Sequence, residues 1–276
     1  MRLLKISTIL LFILSCAAYG VSEFVYKRGK DFTAPVITAD SDLLEVSVKD
    51  DSSKFYEGMH ASDGHDGDLS DSILISGESY FLNSNECTLR YVVFDKAHNS
   101  ASYKRTIRYT DYTPPHFELD KPLVFKVGSS VRFADDITAT DCIDGDITGK
   151  IRILSSTVSN YMEGIYPVSL EVMNSHGQKA TVDINVMVTS QKTEPNVELK
   201  EYITYVKQGD DFNPYSLIKS AVTNNGRNVE AKKVRVNGSV DTNVPGTYIL
   251  SYTVTTGDAL SAAYLSVVVE EAQHEE

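Results

Sequence analysis

The segment GIYPVSLEV, Gly164 to Val172, places apolar side chains at every second position. This alternation predicts a β-strand with one buried face. Two other segments align with it, NECTLRYVV from Asn85 to Val93 and GTYILSYTV from Gly246 to Val254. A single register gives all three a common inward column: Cys87, Leu89, Tyr91, Val93, Tyr166, Val168, Leu170, Val172, Tyr248, Leu250, Tyr252 and Val254.

The three strands belong to a longer repeat. The stretches TAPVITAD, TPPHFELD and TEPNVELK carry Pro35, Pro115 and Pro195 at a spacing of eighty residues. Turn residues follow each alternating strand, and a second apolar strand comes after them, so each repeat is expected to end in a β-hairpin. The predicted last strands are Ala101 to Tyr109, Ala180 to Val188 and Ala262 to Val269.

Short strands are also expected upstream in each repeat, at Leu44 to Val48, Leu123 to Val127 and Tyr202 to Val206. One or two helical turns are expected only around Tyr215 to Ala221. The sequence therefore predicts an all-β chain of tandem β-sandwiches behind an N-terminal hydrophobic segment. The predicted boundaries are 1–32 for the signal or anchor segment and its linker, 33–110, 113–190 and 193–270 for the repeats, and 271–276 for an acidic tail.

The order of motifs supports a family resemblance. Each repeat opens with Thr-x-Pro, and two continue through Asp-Gly-Asp to the alternating strand and an Ala-rich last strand. This order resembles the bacterial immunoglobulin-like repeats described from pesticidal crystal proteins and found in tandem on Gram-positive surface proteins. The resemblance covers residues 33 to about 270 and is weakest in the third repeat, which lacks the acidic turn. It implies immunoglobulin-like sandwiches that serve as spacer or adhesion modules without catalytic activity.

The N-terminus carries an export signal. Arg2 and Lys5 precede an uncharged apolar run from Ile6 to Val21. Three interpretations remain open: an uncleaved membrane anchor, lipidation at Cys16, or cleavage after the small residues of Ala18-Tyr19-Gly20. All three place residues from about 31 onward outside the cytoplasm, either anchored to the cell membrane or secreted.

Composition excludes several functions. A net charge of −12 opposes binding to nucleic acid. The chain has three cysteines and no tryptophan, so it lacks both a disulfide framework and the Cys-Trp-Cys core of antibody domains. Its six histidines accompany no nucleophile elbow, phosphate loop or zinc motif, and we expect no enzyme.

Two acidic turns are the candidate ligand sites. DGHDGDLSDSI begins at Asp63 and DCIDGDITGKI at Asp141. Calcium binds six to eight oxygens, and a glycine bend lets nearby carboxylates converge on it. Aspartate and glycine also build tight turns without metal. Both interpretations stay open, and the candidate calcium ligands are Asp63, Asp66, Asp68, Asp141, Asp144 and Asp146.

Other reactive or aromatic residues have structural interpretations. Cys87 is expected to be a small buried side chain, and a bridge from it to Cys142 is not expected. Tyr166 and Tyr248 occupy the position from which a tyrosine hydroxyl bonds back to the backbone in sandwiches. A sugar could stack on the tyrosines in the predicted loops: Tyr56, Tyr80, Tyr112 and Tyr161.

These observations predict a non-enzymatic spacer or protein-interaction module at the cell surface, with the divergent third repeat as its candidate interaction face. The alternative is a carbohydrate-binding adhesin. The expected partner is thus a protein or polysaccharide at the cell surface, and the membrane is contacted through the N-terminal segment.

Overall fold

A computed structural model describes residues 2–28, 30–83, 85–190, 196–254 and 262–271. Contacts divide the chain into two compact units, Met1–Thr110 and Asp111–Glu276. The first unit begins with helix α1 (Arg2–Arg28). Its segment Ser7–Val25 has a mean hydropathy of 1.8 and is long and apolar enough to cross a membrane, properties that a signal segment shares.

Seven strands follow in the first unit. They form two sheets, with strand orders β1-β3-β4 and β2-β7-β6-β5. Two short 3-10 turns, Ser52–Tyr56 and Ser70–Ser72, each connect a strand of one sheet to a strand of the other. The strands are β1 (Val36–Ala39), β2 (Leu43–Val46), β3 (Met59–Asp63), β4 (Gly67–Asp68), β5 (Leu74–Glu78), β6 (Glu86–Phe94) and β7 (Ser100–Tyr109).

The second repeat has the same arrangement, with sheets β11-β10-β8 and β12-β13-β14-β9. Its strands are β8 (His116–Glu118), β9 (Val124–Lys126), β10 (Thr138–Asp141), β11 (Gly145–Asp146), β12 (Arg152–Ser156), β13 (Gly164–Met173) and β14 (Lys179–Thr189).

The third repeat is simpler, with sheets β15-β17 and β16-β20-β19-β18. Its strands are β15 (Val197–Leu199), β16 (Ile203–Lys207), β17 (Ile218–Ala221), β18 (Arg235–Asn237), β19 (Gly246–Thr253) and β20 (Ala263–Glu270). The helical turns expected at Tyr215 to Ala221 are limited to a 3-10 turn at Pro214–Leu217, because β17 begins at the next residue and pairs with β15.

Long-range pairing repeats three times. The hairpins β6-β7, β13-β14 and β19-β20 are antiparallel, as the sequence predicts. An early strand of each repeat then pairs in parallel with the last one: β2 with β7, β9 with β14, and β16 with β20. These pairings confirm the all-β class. The predicted third hairpin turn, Thr256 to Asp258, lies outside the described residues.

The inward column is confirmed by burial. Its members in β6, Cys87, Leu89, Tyr91 and Val93, are all buried, as are Val168, Leu170 and Val172 in β13 and Leu250 and Tyr252 in β19. Tyr166, Tyr248 and Val254 are half-buried. The period of two therefore set the buried face correctly in every repeat.

The second and third repeats share one hydrophobic core. A continuous cluster joins Leu170 and Val182 of the second repeat to Leu250 and Leu265 of the third. Contacts accordingly place both repeats in one compact unit. The boundaries 113–190 and 193–270 stay a prediction, and residues 191–195 between them lie outside the described part of the chain.

Candidate functional site

The first acid of each acidic turn closes the turn. Asp63 Oδ1 accepts hydrogen bonds from the backbone N–H groups of His65 at 2.7 Å and Asp66 at 3.0 Å. Asp141 Oδ1 accepts the equivalent bonds from Ile143 at 3.0 Å and Asp144 at 2.9 Å. This is the Asx geometry expected of a metal-free turn, and one oxygen of each carboxylate is used for it.

The second acid links the acidic turn to the terminal hairpin. Asp66 Oδ2 accepts the backbone N–H of Lys96 at 2.7 Å, and Lys96 Nζ lies 3.1 Å from Asp66 Oδ1. Asp144 Oδ2 accepts the backbone N–H of Ser175 at 2.7 Å and contacts Lys150 Nζ at 2.7 Å. The hydrogen bond from the Lys96 backbone, followed by that from its side chain, holds the pKa of Asp66 below its ordinary value.

The third acid starts the next 3-10 turn. Asp68 Oδ1 accepts the backbone N–H of Ser70 at 2.9 Å, and Asp146 Oδ1 accepts that of Thr148 at 2.9 Å. Hydrogen bonds from these hydroxyl side chains and their backbone groups lower the pKa of both carboxyls. Gly67 and Gly145, at φ +77° and +71°, supply the left-handed backbone that the acidic turns require.

The third repeat closes the same turn without acids. The bond from Val229 N–H to Ala221 O corresponds to the bonds from Leu69 to Ala61 and from Ile147 to Ala139. In this hydrogen-bond register, Thr223 corresponds to the first acid and Asn228 to the third. Alignment of the sequences alone is shifted by one residue and pairs these acids with Asn224 and Val229. Arg227 N–H donates to Thr223 Oγ1 at 3.1 Å, so a hydroxyl replaces the carboxylate.

The structure therefore does not gather the six predicted ligands as two sets of three. In the first repeat, Asp63 instead meets Asp31 and Asp95, and one oxygen of each lies within 4.8 Å of the others. Sequence reasoning missed Asp31 and Asp95. The sequence does offer one indication of Asp95 as a ligand: this residue begins the hairpin turn of a repeat that also carries an acidic turn.

Each of the two histidines near this turn contacts a single aspartate. His60 Nε2 lies 3.2 Å from Asp40 Oδ1, and His65 Nδ1 lies 3.6 Å from Asp31 Oδ2. Both imidazoles are exposed to solvent. Such single contacts are typical of surface histidines rather than of transition-metal ligands.

The cysteines are free thiols in the described chain. Cys87 is fully buried, and its Sγ donates to Glu78 Oε1 at 3.2 Å. Burial, and then the Glu78 carboxylate, raise the pKa of the Cys87 thiol, which opposes reactivity. Cys142 Sγ donates to Thr113 O at 3.2 Å. Both contacts favour structural roles.

The tyrosines divide into structural and exposed groups. Tyr166 Oη donates to Met162 O and Tyr248 Oη to Val244 O, both at 2.9 Å, which confirms the predicted backbone ties. Tyr112, expected in a loop, is buried, and its hydroxyl accepts a bond from Asn174 Nδ2 at 2.9 Å. Tyr80 and Tyr161 are largely exposed, and Tyr56 is exposed to a smaller extent, at 38% of its surface.

Comparison with known proteins agrees with the fold. Residues 200–264 match the family model described as bacterial surface protein, Ig-like domain. The chain is also 28% identical over 236 residues to the pesticidal crystal protein Cry22Aa of Bacillus thuringiensis. That alignment covers 81% of this chain and 31% of Cry22Aa, so the chain spans about a third of its relative. These matches confirm the predicted resemblance, and the match to the family model falls within the third repeat.

Solved structures are only distantly similar. CBM51-2 in complex with GlcNAc and INT domains, from Clostridium perfringens ZmpB, align with 15% identity and a TM-score of 0.24, covering 54% of this chain and 27% of that one. The extracellular domain of protocadherin GammaB4 aligns with 13% identity and a TM-score of 0.22, covering 87% and 51%. Similarity at this level carries no argument about function.

Proposed function

We propose that this chain is a non-enzymatic bacterial surface protein, held at the membrane by α1, whose Ig-like domains present an interaction face outside the cell. The observation that carries the proposal is the core shared by the second and third repeats. Tandem domains on a flexible linker swing freely, whereas a continuous apolar core holds two repeats as one stiff body. Stiffness is what a spacer requires.

Polar contacts reinforce the junction of the two repeats. The His116 ring stacks on Tyr205 with centroids 3.9 Å apart, and Phe117 N–H donates to Tyr205 Oη at 2.6 Å. Ser266 Oγ donates to Asp183 O at 2.6 Å. Directional bonds of this kind fix one relative orientation, which apolar packing alone specifies less sharply.

Distance measurements between spin labels test the stiffness. The full chain in detergent micelles, with its native cysteines replaced, would carry labels at Thr157 and Lys232, which are exposed residues of the second and third repeats. We expect a distance distribution as narrow as that of a control pair within the second repeat, Thr157 and Thr181. A distribution several times broader than the control would contradict the spacer function.

A second candidate function is carbohydrate adhesion, favoured by two exposed tyrosines in corresponding loops. Tyr80 follows β5 and Tyr161 follows β12, and their exposed fractions are 67% and 81%. Each lies near an exposed aliphatic side chain in the sequence, Leu82 or Met162. An exposed aromatic ring offers an apolar face on which a sugar can stack.

A glycan array with the full chain discriminates the two functions. Adhesion predicts binding to a defined polysaccharide that Tyr161→Ala weakens and Tyr215→Ala, at an exposed tyrosine of the third repeat, leaves unchanged. A spacer without sugar affinity predicts no signal. The third repeat remains the predicted protein-interaction face, and Tyr215 and Val244 are the large exposed apolar side chains among its described residues.

A further inference from the structure

The carboxylate of Asp63 is buried with one oxygen lacking a partner. Asp63 is 8% exposed, and its Oδ1 accepts both turn hydrogen bonds. Its Oδ2 is enclosed and accepts no hydrogen bond. A buried charged oxygen in this state is costly, and native structures usually supply a donor or a cation.

Two other carboxylates surround this oxygen. Asp95 is buried, and its oxygens accept bonds from the backbone and side-chain N–H groups of Asn99, each at 2.7 Å. Asp31 Oδ1 accepts the backbone N–H of Thr33 at 2.9 Å, while its Oδ2 is enclosed without a hydrogen bond. The hydrogen bonds from Thr33 lower the pKa of Asp31. Three carboxyl groups thus converge on one small volume.

Two basic side chains lie beside this cluster. Lys96 Nζ pairs with Asp66 rather than with the three acids. His65 Nδ1 lies 3.6 Å from Asp31 Oδ2, and its side chain is largely exposed.

The corresponding turn of the second repeat has the same backbone hydrogen bond, but there a side-chain donor reaches the buried aspartate. Asn174 replaces Asp95: its N–H donates to Gln178 O at 3.0 Å, as Asp95 N–H does to Asn99 O. The Asn174 Nδ2 group then donates to Asp141 Oδ2 at 3.1 Å, the oxygen that corresponds to the unpartnered one of Asp63. One repeat supplies a donor for this oxygen, and the other supplies a third carboxylate.

We propose that Asp31, Asp63 and Asp95 bind a calcium ion. The ligand set consists of carboxylate oxygens only, which a hard cation prefers, and calcium tolerates irregular geometry and completes its shell with water or carbonyl oxygens. Asp31 lies three residues beyond the end of α1, so the ion would join the segment after the helix to the acidic turn and the last hairpin. On the proposed function, this clip stiffens the start of the spacer.

The test uses the full chain in detergent micelles, freed of metal by a chelator and titrated with calcium chloride. We expect one bound calcium per chain and a rise of the first unit's melting midpoint with calcium concentration, since a ligand of the native state stabilises it by mass action. Asp95→Asn recreates the arrangement of the second repeat and can donate to Asp63 Oδ2. This variant is expected to fold, to lose at least tenfold in calcium affinity and to melt independently of calcium.

The matched control is Asp141→Asn, which changes the acid equivalent to Asp63 in the second repeat and should keep the full calcium response. The proposal is overturned if the wild-type chain binds no calcium at millimolar concentration, if magnesium produces an equal response, or if Asp95→Asn retains the response. The spin labels lie in the second unit, and the proposed calcium ion lies in the first. Failure of the calcium proposal would therefore leave the spin-label distances unchanged, and failure of the spacer proposal would leave calcium binding unchanged.

Discussion

At the scale of single residues, one pair of corresponding positions distinguishes the hairpin turns of the first two repeats. Asp95 and Asn174 occupy the same place in the hairpin turn, and their side chains have almost the same shape. The amide donates where the carboxylate only accepts. This exchange decides whether the second oxygen of the neighbouring aspartate accepts a hydrogen bond from the turn, as in Asp141, or has no donor, as in Asp63.

The buried tyrosine hydroxyls provide a prediction at this scale. Tyr252 is fully buried, and its Oη donates to Pro214 O at 3.0 Å. Tyr252→Phe should lower the free energy of unfolding by about 1 kcal/mol, because the hydroxyl bond is lost in a dry site. Tyr248→Phe removes an exposed bond and should cost less than about 0.5 kcal/mol. Urea unfolding of the full chain in micelles measures both, and equal losses would argue against burial as the cause.

At the scale of elements, the acidic turn acts as a clip between strands that are distant in sequence. Asp144 joins the turn after β10 to the turn between β13 and β14, through Ser175. Its counterpart Asp66 makes the same link through Lys96. The carboxylates therefore link a turn of one sheet to the hairpin turn of the other sheet in the same repeat, a role that their composition as turn formers does not reveal.

Lowering the pH should weaken these links, because it protonates the carboxylates that accept the hydrogen bonds. Burial alone would raise the pKa of Asp144, but the bonds from Lys150 and Ser175 outweigh it and leave the pKa below its ordinary value of 3.8. Hydrogen bonds from Thr148 lower that of Asp146. Lowered values in the folded state mean that this stabilisation is complete above about pH 4 and is lost as the pH falls through the folded values.

Melting midpoints of the full chain between pH 6 and pH 3 test this expectation. The midpoint of the second unit should be flat down to about pH 4 and then fall. Asp146→Asn, which cannot titrate, should start from a lower midpoint and fall less steeply. A midpoint that rises on acidification would show that the ionised forms of these carboxylates do not stabilise the second unit.

At the scale of the whole molecule, the chain has three sequence repeats but two compact units. The second and third repeats contribute buried apolar side chains to one continuous cluster. Tyr202 N–H also donates to Leu119 O at 2.8 Å, which joins the backbones of the two repeats. We expect them to unfold together, while the first unit unfolds by itself.

Leu119→Ala tests this coupling. Leu119 is buried in the shared core, and truncation should cost about 2–5 kcal/mol through lost burial and a cavity. Hydrogen exchange on the full chain should become faster in both β13 and β19 and stay unchanged in β6. The control Leu89→Ala should make exchange faster in β6 and leave β13 and β19 unchanged. Unaltered protection of β19 in Leu119→Ala would show that the third repeat is stable by itself.

The sequence by itself determined the strand class, the buried column and the turn positions, because these depend on local periodicity and on the backbone preferences of Asp and Gly. It also predicted the backbone ties of Tyr166 and Tyr248. Only the tertiary structure decided that Asp31, Asp63 and Asp95 meet, since three acids far apart in the chain converge only after the sheets form. The shared core likewise depends on contacts between side chains of two repeats, and no periodicity within one repeat encodes those contacts.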